Sequence, residues 1–175
     1  MLSLVLSFFV VTSPIDFKSF HVIGEVASRG RYPAHTDRIE AAVISDTLDV
    51  SDDTDDFEWD VVEANDDGVL EHDALRGGYA YTTINAEQAG PAVLSARGHS
   101  MVYVNGVPRM GDPYSNGLTR LPVALREGEN EFLFRVGRGR LTASLQEAPQ
   151  RLAFMGVDDS LVCDRVIVSL RSLSL

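Results

Sequence analysis

Between Pro91 and Leu145, apolar and polar residues alternate with a period of two, segment after segment, with turn-forming residues between the segments. Leu121, Val123 and Leu125 share one face of the first such segment, and Phe132, Phe134 and Val136 share one face of the next. In a third, Leu141, Ala143 and Leu145 face one way while Arg140, Thr142, Ser144 and Gln146 face the other. Successive side chains of a β-strand point to opposite sides, so this period predicts half-buried strands. Asn105-Gly106, between Met101–Val104 and Val107, predicts a type I′ hairpin turn, because both residues tolerate the positive φ it requires. The stretches 126–130 and 137–139 supply the next two reversals.

The rest of the chain yields further strands by the same pattern. Phe17 to Val26 and Arg38 to Ile44 read as early strands, with Tyr32–His35 in the loop between them. Phe57 to Val62 alternates, Asn65–Gly68 is a turn, Tyr79 to Ile84 follows a glycine pair, and Arg165 to Leu170 gives a final strand. About ten short strands with frequent turn signals predict an all-β fold, an antiparallel β-sandwich.

Composition bounds this picture. A chain of 175 residues with 45% hydrophobic content fits a single sandwich domain over 15–175, with an acidic loop at 46–56. Residues 1–14 stand apart. Met1 to Val11 is apolar over a length that suits a signal-peptide core better than a membrane span of roughly twenty residues, although no basic residue precedes it. Its alternatives are an N-terminal extension, a buried edge strand or a truncated gene start. Export would place the protein in an extracellular or periplasmic setting, and otherwise it is cytoplasmic; no stable membrane span is expected. The single cysteine, Cys163, excludes an intrachain disulfide and a multi-cysteine zinc site, and is expected as a small buried residue.

Charge excludes one class of partner. The net charge is −11, Lys18 is the only lysine among 15 basic residues, and half of the 26 acids lie between Asp46 and Asp73, where no basic residue occurs. Such a surface repels nucleic acid and anionic membranes. The lysine-poor, acidic balance also resembles that of proteins from salt-loving organisms. Asp52, Asp53, Asp55 and Asp56 supply the hard oxygen ligands that calcium takes, but their spacing does not match an EF-hand loop, and a solvated acidic loop is the simpler account of them. No other cofactor is implied.

Gly98-His99-Ser100-Met101 imitates the start of a nucleophile elbow. The pattern is incomplete: Val102 stands where the closing glycine belongs, a strand rather than a helix follows, and all 4 histidines precede or adjoin Ser100 instead of following it. Ser100 is therefore read as a structural serine entering a strand, and the chain as non-catalytic.

Several segments resemble the galactose-binding-like jelly roll found beside catalytic domains in glycoside hydrolases and related large secreted enzymes. They are Gly90-Pro91, Leu94–Gly98, Val102–Gly106, Leu121–Val123 with Leu125, and Gly128–Glu131, with Phe20–Gly24 resembling the opening strand. Gly77–Tyr81 together with Val104–Gly106 is also similar to the N-terminal region of large α/β-hydrolase or prolyl-oligopeptidase-like proteins. These motifs are structural, so what they imply is a jelly-roll sandwich acting as an accessory domain, with the catalytic domain outside this sequence.

Sugar recognition needs an aromatic platform and polar groups for hydroxyls. The loop Met110–Gly117 contains both, with Tyr114 as platform and Asp112 and Asn116 as hydrogen-bonding partners; Trp59 is a second aromatic candidate. The competing reading is that Asp112 and Asn116 satisfy loop backbone, Tyr114 caps the core and Trp59 belongs to the core. Arg135, Arg138 and Arg140 read as a solvated edge or acid-pairing patch. Two functions follow: a binding module for a carbohydrate or similar polar ligand, or a structural module that packs against a neighbouring catalytic domain without a ligand of its own.

Overall fold

The computed structural model describes residues 14–26, 37–51 and 57–148. Their strands, in chain order, are β1 (Ile15–Asp16), β2 (Ser19–Ile23), β3 (Asp60–Glu63), β4 (Val69–Glu71), β5 (Tyr79–Ala86), β6 (Gly90–Arg97), β7 (His99–Val104), β8 (Val107–Met110), β9 (Arg120–Leu125), β10 (Gly128–Val136) and β11 (Arg140–Glu147). A short helix, α1 (Arg38–Ile44), lies between β2 and β3. Two sheets form: a five-stranded one in the order β1-β11-β6-β9, with β4 also on β11, and a six-stranded one in the order β3-β2-β5-β10-β7-β8. All pairings are antiparallel, and from β4 to β7 and again from β8 to β11 the chain changes sheet at each step, which is the wiring of a jelly-roll sandwich.

The alternation read in the sequence lines the space between the sheets. Leu94, Ala96, Val123, Leu141 and Leu145 from the five-stranded sheet meet Phe20, Val102, Phe132, Phe134 and Val136 from the other. Phe134 sits at the centre of an aromatic group, edge-on to Phe17 and stacked on Phe132. Asn105 and Gly106 both take positive φ, 49° and 79°, as the expected type I′ turn requires. Pro108 lies in β8 and Pro122 in β9, the strands that end each sheet on that side among the described residues.

Arg38–Ile44 is a helix, not a strand. Asp37 caps it: its Oδ1 accepts the backbone N–H groups of Ile39 at 3.0 Å and Glu40 at 3.2 Å. Ile39 and Val43, four apart, therefore fall on one face and pack over Ile23, Tyr79, Tyr81, Tyr103 and Leu133 on the outer side of the six-stranded sheet. This second layer also explains why Tyr79–Thr82 are buried on both sides, where simple alternation would expose every other residue. The strand expected over Phe57 to Val62 begins only at Asp60, and that expected over Phe17 to Val26 narrows to β2. The segments Met1–Val11, Tyr32–His35, Asp52–Asp56 and Arg165–Leu170, and Cys163, lie outside the described residues. Among the described residues no helix is long and apolar enough to cross a membrane.

Candidate functional site: a polar cleft on the five-stranded sheet

The two outer faces differ. One is covered by α1 and its apolar contacts; the other, on the five-stranded sheet, carries the polar phase of the alternating strands. Register aligns these residues. Asp16 of β1 stands opposite Ser144 of β11, Ser144 opposite Ser95 of β6, and Ser95 opposite Arg120 of β9. One row thus runs across four strands, carboxylate at one end and guanidinium at the other, spanning roughly 14 Å at the usual strand spacing. A neighbouring row pairs Thr142 with Arg97. Together with the turn at Asp67-Gly68 and the connection through Gly117 and Thr119, these rows line an open cleft of about 330 Å³. Ligand pockets commonly start near this size.

The loop singled out in the sequence reaches the cleft through its last residue, Gly117. Asp112 is buried, 4% exposed, and its two carboxylate oxygens accept the backbone N–H groups of Asn116 at 3.1 Å and Gly117 at 2.7 Å. The Gly117 bond, then the Asn116 bond and the nearby His99 and Arg97, hold the Asp112 carboxyl below its ordinary value despite the opposing effect of burial. Gly117 has φ +69°, and a Cβ there would lie 2.4 Å from Nε of Arg97 and 2.5 Å from its Cζ. Glycine is what lets the Arg97 guanidinium lie against the loop backbone. Asp112 therefore serves the loop, and through it the position of Arg97.

The other sequence candidates separate. Tyr114 is 72% exposed beyond the cleft lining, with the Arg138 guanidinium 5.9 Å from its ring centroid. It does not cap the core. Asn116 is exposed and reaches Asp112 through its backbone. Trp59, just before β3, packs on the outer side of the six-stranded sheet, half-buried against Tyr81 with ring centroids 6.5 Å apart, and its Nε1 has no hydrogen-bond partner among the described residues. Arg135 and Arg140 are acid-paired, to Glu40 at 3.0 Å and Glu71 at 2.7 Å. Ser100 lies within β7, exposed, its hydroxyl donating to the Arg135 carbonyl at 3.3 Å.

His99, next to it, is fully buried edge-on to Phe134, with neither ring nitrogen hydrogen-bonded among the described residues. Burial lowers its pKa to about 4, partly offset by Asp112. Under α1 a second polar group is buried: the Tyr79 hydroxyl donates to Asp37 at 2.7 Å, with Glu40 at 3.1 Å, and the partly exposed Arg135 donates to Glu40. Burial and these carboxylates push the tyrosine hydroxyl well above its ordinary pKa. Among the described residues no three metal-ligating side chains gather; Asp52, Asp53, Asp55 and Asp56 lie outside them.

Ser95, Arg97, Arg120, Thr142, Ser144 and Asp16 escape a reading of single segments. The polar phase of β11 is visible in the sequence as Thr142 and Ser144, but only the register across β1, β11, β6 and β9 joins it to the arginines.

No protein-family model and no curated protein matches the chain. Among solved structures, the chain is similar to a family 35 carbohydrate-binding module from Clostridium thermocellum, at 13% identity and a TM-score of 0.33 over 78% of this chain and 100% of that one.

Proposed function

We propose that this sandwich is a non-catalytic module that binds a carbohydrate or similar polar ligand in the cleft on its five-stranded sheet, as an accessory part of a larger secreted hydrolase. The observation that carries the reading is the cross-strand row Asp16–Ser144–Ser95–Arg120. It offers an acceptor, two hydroxyls and a donor to one ligand on a rigid sheet, while the equivalent face of the other sheet is filled by α1. Hydroxyl-rich ligands are oriented by such convergent polar groups.

Ser95→Tyr tests it, because the new ring fills the cleft floor at a strand position that accepts aromatic residues. Against a glycan array and by titration calorimetry, the parent protein should bind at least one saccharide and Ser95→Tyr should lose it with an unchanged circular dichroism spectrum. Trp59→Ala, on the other sheet, should retain it. Absence of any saccharide binding, or binding by Ser95→Tyr equal to the parent's, removes the reading.

Met110 at the end of β8 and Tyr114 and Leu118 in the connection after it, exposed at 76%, 72% and 84%, favour a second reading, a structural module docked on a neighbouring domain. Met110→Ser with Leu118→Ser would then abolish association with that domain and leave saccharide binding untouched.

A further inference from the structure

We infer that the saccharide held in this cleft is anionic, its carboxylate or sulfate ester seated between Arg97 and Arg120 and its hydroxyls directed toward Ser144 and Asp16. This rests on the cleft being the binding site.

The arginines divide by partner. Arg76, Arg135 and Arg140 each pair with a carboxylate, Asp73, Glu40 and Glu71. Arg97 and Arg120, both lining the cleft, make no salt bridge among the described residues, in a chain whose net charge is −11. Arg109, Arg126 and Arg138 make no salt bridge among the described residues either, but they lie outside the cleft, and only Arg97 and Arg120 bring guanidinium groups to its lining. Asp112, the carboxylate nearest in the loop, is occupied by two backbone N–H groups. Asp16 stands at the far end of the four-strand row from Arg120.

Placement supports the same orientation. The Arg97 guanidinium lies against the Gly117 backbone at the loop side of the cleft, and Arg120 stands on the adjacent strand. A planar guanidinium donates paired hydrogen bonds that match a carboxylate or sulfate. The cleft lining contains no aromatic ring, so stacking on a sugar face is not its source of affinity; charge-assisted hydrogen bonds are the alternative that these residues provide. The hydroxyls of Ser95, Thr142 and Ser144 lie between the basic and acidic ends, where the uncharged part of a sugar ring would fall.

The test is an array of neutral, carboxylated and sulfated glycans, followed by titration of the tightest anionic ligand and its neutral parent sugar. Binding should concentrate among the carboxylated or sulfated members, and the anionic form should bind at least about tenfold more tightly than its neutral parent. Arg97→Gln and Arg120→Gln should each reduce binding of the anionic form to the level of the neutral one. Arg109→Gln, on β8 of the other sheet, should change nothing. Carboxylated and sulfated hits tell the two anion types apart. Binding of neutral glycans as tight as anionic ones overturns the inference and leaves saccharide binding in the cleft standing. Inorganic sulfate binding as tightly as the glycan also overturns it, and binding of no glycan at all removes both.

Discussion

Asn105 and Asn130 join two reversals of the chain through their side chains: Nδ2 of Asn105 donates to Oδ1 of Asn130 at 2.9 Å. Asn130 is fully buried, and its amide also donates to the carbonyls of Arg126 and Gly128 and accepts from the Arg126 N–H. Oδ1 of Asn105 accepts the backbone N–H of Glu131 at 2.9 Å. Asn130→Ala strands several buried backbone groups at once and should lower stability by about 3 kcal/mol, measured by urea denaturation. Asn130→Asp should recover little, since it restores the acceptors but not the donors.

Gly117→Ala should separate loop geometry from folding. The added methyl meets the Arg97 guanidinium, a movable side chain, and the backbone is strained at φ +69°. The expected result is a loss of stability of roughly 1 kcal/mol, and ligand affinity reduced nearly as far as by Arg97→Gln. Affinity unchanged from the parent would show that the loop does not position Arg97.

Gly98→Ala should be worse for the fold. A Cβ there, at φ +89°, would lie 2.3 Å from the Arg140 carbonyl oxygen, which belongs to a strand and has little room to give. Loss of soluble expression, or a fall of at least about 3 kcal/mol in stability, is expected.

His99 makes stability depend on pH. Its folded pKa of about 4 lies below the ordinary 6.5, so between these values the unfolded chain takes up a proton that the folded one refuses. Stability that is complete above pH 6.5 should therefore fall by about 3 kcal/mol on acidification toward pH 4 and level off below it. His99→Leu should flatten that segment of the profile. Asp112 acts further down: its folded value is depressed, so its contribution is present above the ordinary carboxylate value and is lost as pH falls below it.

Phe134→Ala should cost about 3–5 kcal/mol, because the fully buried ring contacts Phe17, Phe132 and His99 from the middle of the sandwich. A smaller loss, seen in thermal unfolding, would mean that the neighbouring rings collapse into the space.

Sequence alone carries much of the sandwich from β5 to β11, because apolar and polar residues alternate over Leu121–Leu125 and Leu141–Leu145 and Asn105, Gly106, Gly128 and Asn130 mark the reversals. It misplaces α1 for a physical reason: Ile39, Val43 and Ile44 are β-branched and the helix is only seven residues long, so apolar content outweighs periodicity. The signals that identify the helix are Asp37 followed three residues later by Glu40, and the four-residue spacing of Ile39 and Val43. The cleft is legible in part. Asp112 and Gly117 fall within the predicted loop, whereas Arg97 and Arg120 are brought together by strand register, which no local pattern specifies.

Pro108 and Pro122, at the outer edges of the two sheets, act on other copies of the chain rather than on this one. Neither residue has an amide hydrogen to offer an incoming strand, so edge-to-edge docking of a second molecule would be interrupted midway along β8 and midway along β9. Where copies of the chain meet at high local concentration, two interrupted edges keep them from merging into continuous sheet.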